Sequence, residues 1–246
     1  MRFVGVAVVV LGLAGVAAAQ TSTWEYEGKH GALAWGKNPA NRACSQGHQQ
    51  SPIDVRGARL SKGLQPIEFH YIAGPVTLEN NGHTIVAHFD PGSSIVAGGV
   101  RYQLEWMEFH HPSEDAVKGK LVEFEVELVH KSADGKQAVV ALRLKEDPGN
   151  PNAVLATLWP HLPKTAGATE RVTDEVDAGG FLPADRGYWT YPGSITSPPC
   201  SEGVSWFLFQ DELTLSRDQL RAFTAIFKLN SRPLQDLHGR RIAASE

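Results

Sequence analysis

The chain has 246 residues and a formal net charge of −4 at pH 7, with 42% hydrophobic and 20% charged residues. Its lysines and arginines form no cluster, so the charge pattern does not indicate a protein that binds nucleic acid or an anionic membrane surface. The length fits one large domain that can bury a sizeable core without additional cross-links.

The N-terminal residues have the pattern of an export signal. Arg2 precedes a short apolar run, and an A-x-A cleavage site ends at Ala19. The run is shorter than the roughly 20 residues that span a bilayer, and no later segment is apolar enough to do so. We therefore expect a signal peptide over residues 1–19, a single mature domain over residues 20–246, and a periplasmic or secreted protein. A retained N-terminal anchor is the alternative.

The chain contains two cysteines, Cys44 and Cys200. In an exported protein, two cysteines most simply form one disulfide, and two free buried thiols are the alternative. The bond would close a very long loop, for which the chain-entropy model gives about 5 kcal/mol as an upper value. The cysteines supply no C-x-x-C pair, so they do not indicate a zinc site.

Short alternating runs separated by turn residues predict a β-rich domain. The predicted strands, in chain order, cover residues 76–79, 84–86, 100–110, 121–129, 138–144 and 204–209. The first two flank Asn80-Asn81-Gly82, which is a hairpin turn signal. The last is largely apolar, which is typical of a buried strand.

Two helices are predicted. Residues 152–159 give a weak helical pattern, whereas residues 216–227 give a stronger one. Ser216 and Gln219 have the spacing of a capping box at the start of the second helix. The apolar face of that helix would carry Leu220, Phe223 and Phe227.

Side-chain alternation places several ionisable residues on common strand faces. Along residues 100–110, one face carries Leu104, Trp106, Glu108 and His110, whereas Phe109 and His111 point to the other side. Along residues 121–130, one face carries Glu123, Glu125, Glu127 and Val129, and the other carries Phe124, Val126, Leu128 and His130. If the two strands are neighbours, Glu108, His110 and Glu127 converge.

Convergence of these three side chains would have chemical consequences. Buried carboxylates are unfavourable unless they are paired, protonated or bound to a metal. A single E-x-H motif is weak evidence, and the alternative is that both glutamate faces are simply solvated.

Motifs along nearly the whole mature chain resemble those of alpha-type carbonic anhydrases in order and spacing. They are WEY (24–26), QSPID (50–54), NNGHT (80–84), PSE (112–114), LVHK (128–131), YPGSITSPPCSEGV (191–204) and N-x-R-P-x-Q (230–235). The resemblance implies a mainly β domain with a central twisted, largely antiparallel sheet, few short peripheral helices and a conical active-site cavity. It also implies that Cys44 and Cys200 pair.

The resemblance implies a changed metal-binding site. In the family the metal strand reads H-x-H and is followed in bacterial members by P-S-E. Here the two positions are Glu108 and His110, and the ungapped motif at residues 112–114 fixes the register. The third ligand position, three residues before His130, is Glu127. Two of three expected zinc histidines are therefore glutamates, and His111 faces the wrong way to replace one.

The residues that support the metal ligands differ as well. Trp106 occupies the position where the family usually has a glutamine that orients the first histidine. Asp115 stands where a histidine or asparagine is usual, whereas Glu125 matches the residue that orients the third ligand. Metal ligands depend on such partners. Trp106 therefore indicates a site rebuilt around something other than an imidazole at Glu108.

Other positions match the family's catalytic residues. His83 stands at the proton-shuttle position, with a surface turn histidine as the alternative. Thr196 and Glu114 match the pair that orients the zinc-bound hydroxide. The apolar wall against which carbon dioxide sits corresponds to Val129, Val139, Ile195 and Trp206, which could equally be plain core.

We expect a carbonic-anhydrase-like protein that has lost or strongly weakened zinc-dependent hydration of carbon dioxide. The family's cofactor is zinc, but ionised Glu108 and Glu127 would nearly cancel its charge, so we expect well under one zinc per chain. A His/Glu/Glu site for another divalent metal such as manganese, and an ordinary active enzyme acting on carbon dioxide and bicarbonate, are the alternatives. The sequence names no protein partner and no oligomeric state.

Overall fold

A computed structural model describes residues 24–246, and the segment predicted to be the signal peptide lies outside the described residues. The strands, in chain order, are β1 (Asp54–Val55), β2 (Arg59–Leu60), β3 (Glu68–His70), β4 (Gly74–Asn80), β5 (Ile85–Phe89), β6 (Ser94–Ala97), β7 (Val100–His110), β8 (Ala116–Val117), β9 (Phe124–Ser132), β10 (Gln137–Glu146), β11 (Thr169–Val176), β12 (Tyr188–Ser194), β13 (Glu202–Phe209), β14 (Leu213–Leu215) and β15 (Ala243–Ala244). The α-helices are α1 (Ala43–Gln46), α2 (Ala153–Leu158) and α3 (Arg217–Thr224). Short 3-10 helices occupy Gly28–His30, Ala32–Lys37, Pro39–Asn41, Trp159–His161 and Ala178–Phe181.

Thirteen of the strands form one sheet, in the order β11-β4-β5-β7-β9-β10-β13-β12-β15-β2. Strand β14 lies beside β10, and β3 joins the sheet through β6, which pairs with β7. Most pairs are antiparallel, while β10–β13, β10–β14 and β15–β2 are parallel. Strands β1 and β8 form a separate parallel pair. The predicted mainly β architecture, with a large sheet and few short helices, is confirmed.

The three central strands β7, β9 and β10 bury one face in the main hydrophobic core. That face carries Met107, Phe109, Val126, Leu128, Val140 and Leu142. Helices α2 and α3 pack against it, and the rings of Phe124 and Phe223 meet edge to face with centroids 5.0 Å apart. Burying each such side chain contributes about 1.5–3 kcal/mol, so these strands are held firmly from this side. Their opposite face is free to carry a functional site.

A β-bulge interrupts β7 before the site. Leu104 pairs with His130 and Trp106 pairs with Val129, which leaves Glu105 as the extra residue. Leu104 therefore packs in the main core, while Trp106 packs against a second apolar cluster on the other face. The prediction that Leu104 and Trp106 share a face is wrong, because strict alternation does not hold across a bulge.

The predicted local elements correspond closely to the observed ones. Strands β4 and β5 form the predicted hairpin, and Gly82 at its turn has a φ of 87°, which favours glycine. Helix α3 has the predicted capping box between Ser216 and Gln219, although it ends before Phe227, which still packs against the core. Within residues 24–246, no helix is long and apolar enough to cross a membrane.

A disulfide joins Cys44 and Cys200, whose Cα atoms lie 5.0 Å apart across a sequence separation of 156 residues. It packs beside Trp35, Trp24 and Tyr26. The guanidinium of Arg232 donates to the carbonyl oxygen of Cys44 at 2.9 Å. These contacts hold the N-terminal segment against the loop that contains Cys200.

Candidate functional site

Glu108 on β7 and Glu127 on β9 lie directly opposite each other in the antiparallel pair. His110 follows two residues after Glu108 and projects from the same face. One side-chain ligand atom from each of the three residues lies within 4.8 Å of the other two. Glu108 is half-buried, whereas His110 and Glu127 are 2% and 1% exposed. The convergence predicted from alternation is therefore present.

The imidazole of His110 is held in one tautomer. Its Nδ1 lies 2.8 Å from the carbonyl oxygen of Asn230. A carbonyl oxygen can only accept a hydrogen bond, so we assign the proton of the neutral ring to Nδ1 and a lone pair to Nε2. Nε2 has no hydrogen-bond partner among the described residues and lies 4.0 Å from Oε2 of Glu127. Oε1 of Glu127 likewise has no partner there. When Glu127 is ionised, the cluster therefore holds buried acceptor atoms with no donor among the described residues.

Trp106 precedes Glu108 by two residues on β7. Burial raises the pKa of Glu108, while the neighbouring His110 and Trp106 side chains act in the opposite direction. The indole nitrogen of tryptophan can only donate a hydrogen bond. Trp106 could therefore not accept the N–H of an imidazole at position 108.

Further buried acids lie behind this cluster. Burial raises the pKa of Glu127 and of Glu125 well above the ordinary glutamate value, and neighbouring carboxylates such as Glu114 raise both further. Burial also raises the pKa of Asp115 to about 7, against hydrogen bonds from the backbone of Ile53 and from Tyr191. The face of the sheet that carries the cluster therefore concentrates acidic groups in a poorly solvated region.

Arg143 brings positive charge to this face. It lies on β10 opposite Glu125 and forms an ion pair with Glu212, with an N–O distance of 3.1 Å. Its charge favours the ionised forms of Glu125 and Asp115. Among the described residues, the Glu125 carboxylate accepts one hydrogen bond, from the backbone N–H of Asp115 at 3.0 Å.

Glu114 lies close to the imidazole. Its Oε1 accepts from the backbone N–H of Arg232 at 2.6 Å and lies 3.7 Å from Nδ1 of His110. Its Oε2 has no hydrogen-bond partner within residues 24–246. Thr196 is 3% exposed, and no hydrogen bond joins it to Glu114 in that part of the chain. The pairing of these two residues stays a prediction.

His83 stacks on Trp24, with ring centroids 3.6 Å apart and planes 8° from parallel. It is half-buried, and this burial lowers its pKa, with Glu25 acting in the opposite direction. A role for His83 in proton transfer stays a prediction. The predicted apolar wall does come together: Val129, Val139 and Trp206 are buried in one cluster, and Ile195 packs against it.

Sequence reasoning missed two residues of this site. Asn230 supplies the carbonyl that fixes His110, and its side chain also accepts from the backbone N–H of His111 at 2.8 Å. It stands at the start of the N-x-R-P-x-Q motif, which was the available signal. Arg143 was visible as a charged residue inside an apolar strand. As predicted, His111 points elsewhere: its Nδ1 lies 2.7 Å from the carbonyl oxygen of Glu123.

A cavity of about 460 Å³ lies beside Glu114 and is separate from the three-residue cluster. Its lining includes Tyr26, Leu33, Glu114, Arg232 and Leu234. Neither Glu108, His110 nor Glu127 lines it, so it is not the space in front of the cluster.

The large sheet and the cluster facing away from its main core define a protein of the alpha-type carbonic anhydrase class. Residues 30–246 match the family described as eukaryotic-type carbonic anhydrase. The chain is 41% identical over 223 residues to a carbonic anhydrase of Klebsiella pneumoniae, covering 89% of each chain. It is 36% identical over 219 residues to one of Pectobacterium carotovorum, covering 88% of each. The solved alpha-carbonic anhydrase of Photobacterium profundum superposes with a TM-score of 0.85 at 36% identity, covering 91% of this chain and all of that one. The chain therefore belongs to the carbonic anhydrase family.

That family is zinc-dependent, and its metal is held by three neutral imidazoles. The cluster of Glu108, His110 and Glu127 offers one imidazole nitrogen and two carboxyl groups. The unpartnered Nε2 of His110 and Oε1 of Glu127 are suited to a divalent cation. As a set, however, the three side chains do not reproduce the neutral zinc shell, so no catalytic step through zinc follows from them.

Proposed function

We propose that this chain is a carbonic-anhydrase-like protein in which zinc-dependent hydration of carbon dioxide is lost or strongly weakened. The observation that carries the proposal is the cross-strand pair of Glu108 and Glu127 beside His110. In the family, three neutral imidazoles leave zinc with its full double charge, which makes the bound water acidic enough to ionise near neutrality. Two ionised carboxylates would nearly cancel that charge, so little hydroxide would form at neutral pH.

The proposal takes Glu108, His110 and Glu127 to stand at the family's zinc-ligand positions. The remaining family positions would keep their roles: His83 as a proton carrier, Thr196 and Glu114 as orienting groups, and the wall around Val129 as the place for carbon dioxide. Carbon dioxide and bicarbonate would be the substrates of any residual activity. An active enzyme with a different metal is the second candidate, and the unpartnered Nε2 of His110 favours it.

We also propose that the protein is exported to the periplasm or secreted. The Cys44–Cys200 disulfide supports this, because disulfides persist in oxidising compartments. The apolar N-terminal run with its A-x-A site supplies the export signal.

The proposal is tested by elemental analysis and stopped-flow hydration of carbon dioxide on the purified protein. We expect well under one zinc per chain and hydration far slower than in a relative with three histidines. Stoichiometric zinc together with full activity in the unaltered protein would refute the proposal.

A rescue experiment tests the placement of the ligands. Replacing Glu108 and Glu127 together by histidine should restore tight zinc binding and measurable hydration, whereas either single change should do less. Adding Trp106→Gln should raise zinc affinity by roughly tenfold or more, because glutamine can accept the N–H of the new imidazole. The matched control is E108Q/E127Q, which removes both charges without adding an imidazole and should rescue neither property. If the folded triple variant binds no zinc, the ligand positions are misplaced.

A further inference from the structure

We propose that Glu108, His110 and Glu127 form a site for a hard divalent cation, represented by manganese(II). This inference deepens the proposed function, on which it rests, by stating what the altered site holds in place of the family's zinc shell.

The first argument is the set of unsatisfied acceptors. The proton on Nδ1 of His110 is directed to the carbonyl of Asn230, so the lone pair on Nε2 points away from it towards Glu127. Nε2 of His110 and Oε1 of Glu127 are buried and have no donor among the described residues. Burying acceptors without a donor is unfavourable. A single cation between them would satisfy both, whereas Nε2 of His110 and Oε2 of Glu127 lie 4.0 Å apart, too far for a hydrogen bond even when Glu127 is protonated.

The second argument is charge. When both carboxyl groups are ionised, they and the neutral imidazole carry two negative charges, which one divalent cation neutralises. Arg143 does not serve this purpose, because it pairs with Glu212 and faces Glu125. Within residues 24–246, the cluster at Glu108 and Glu127 is therefore left without a cationic side chain of its own.

The third argument is the chemistry and spacing of the donors. Carboxylate oxygens suit hard ions such as manganese, whereas imidazole-rich shells suit zinc. Nε2 of His110 and Oε2 of Glu127 lie 4.0 Å apart. One ion that lies between the three side chains can reach a donor atom from each, because those atoms lie within 4.8 Å of one another.

The test uses the full mature protein after removal of metal with a chelator. Manganese(II) is titrated in, and the free ion is followed by electron paramagnetic resonance. We expect saturable binding of one ion per chain. Glu127→Gln, which keeps the shape of the side chain, should weaken binding tenfold or more. The matched control is Glu79→Gln, which alters an exposed carboxylate 3.0 Å from His88 and should leave binding unchanged.

The metal inference is overturned if the unaltered protein shows no saturable manganese binding, or if binding survives Glu127→Gln undiminished. Should that variant fail to fold, Glu108→Gln provides the same comparison. These outcomes are distinct from failure of the proposed function, which is judged by the zinc content and hydration rate of the unaltered protein. The E108H/E127H variant links the two measurements, because it should gain zinc affinity while losing manganese affinity.

Discussion

His130 offers a direct test of how burial controls charge in this fold. It lies on the core-facing side of β9 with no exposed surface, and its Nε2 lies 2.9 Å from the hydroxyl of Tyr71. Burial lowers the pKa of His130 to about 3, against smaller effects of the Leu128 and Ala138 backbones. The informative change is His130→Gln, because the amide can still hydrogen-bond to Tyr71 but does not titrate.

The magnitude follows from the difference in pKa between the two states. In the unfolded chain the imidazole titrates near its ordinary value of 6.5, whereas in the folded chain it stays neutral until about pH 3. Between these values the unfolded state binds more protons, so the contribution of His130 to stability is present above pH 6.5 and is lost as the pH falls. From about pH 7.5 to about pH 5 the loss amounts to about 2 kcal/mol.

The assay is urea unfolding of the unaltered protein and of His130→Gln at both pH values. At neutral pH the variant should be the less stable protein, and at about pH 5 the difference in unfolding free energy should shrink by about 2 kcal/mol. Buried acids such as Glu125 and Asp115 titrate in both proteins, so their contributions cancel in the comparison. A difference in unfolding free energy that does not change with pH would refute the reasoning.

Two further predictions concern the N-terminal segment. Unreduced protein should show no free thiol from Cys44 or Cys200, and reduction should lower the unfolding free energy by up to about 5 kcal/mol, because the bond closes so long a loop; two titratable thiols in native, unreduced protein would contradict this. Trp24→Ala should raise the pKa of His83 towards its ordinary value, because the imidazolium regains solvent when the stacked indole is removed. An NMR titration of His83 measures this, and a pKa that does not move would show that Trp24 is not the source of its burial.

Local patterns predicted the parts of this protein that depend on neighbouring residues. Alternation placed Glu108 and His110 on one face of β7 and Glu127 on the facing side of β9, since the period of a strand is fixed by its backbone. The helix cap at Ser216 and the hairpin turn at Asn80-Asn81-Gly82 likewise depend on contacts between residues only a few positions apart.

Features that depend on distant contacts were not predictable in this way. The bulge at Glu105 leaves no trace in the hydrophobic pattern, because Leu104 and Trp106 are both apolar. The carbonyl that orients His110 comes from Asn230, 120 residues away along the chain. The parallel pairing of β10 with β13 joins strands that a long stretch of chain separates, and no local signal in the sequence specifies it.

The alternation along β7 and β9 has a consequence for how this family can diversify. Every member of the cluster projects from one side of these strands, while Met107, Phe109, Val126 and Leu128 secure the other side in the core. Exchanging the side chain at position 108 or 127 therefore changes the donor atoms of the cluster, while the residues that face the core stay the same. A few substitutions can give the same fold a new set of donor side chains, so the chemistry of the cluster can change while the fold is retained.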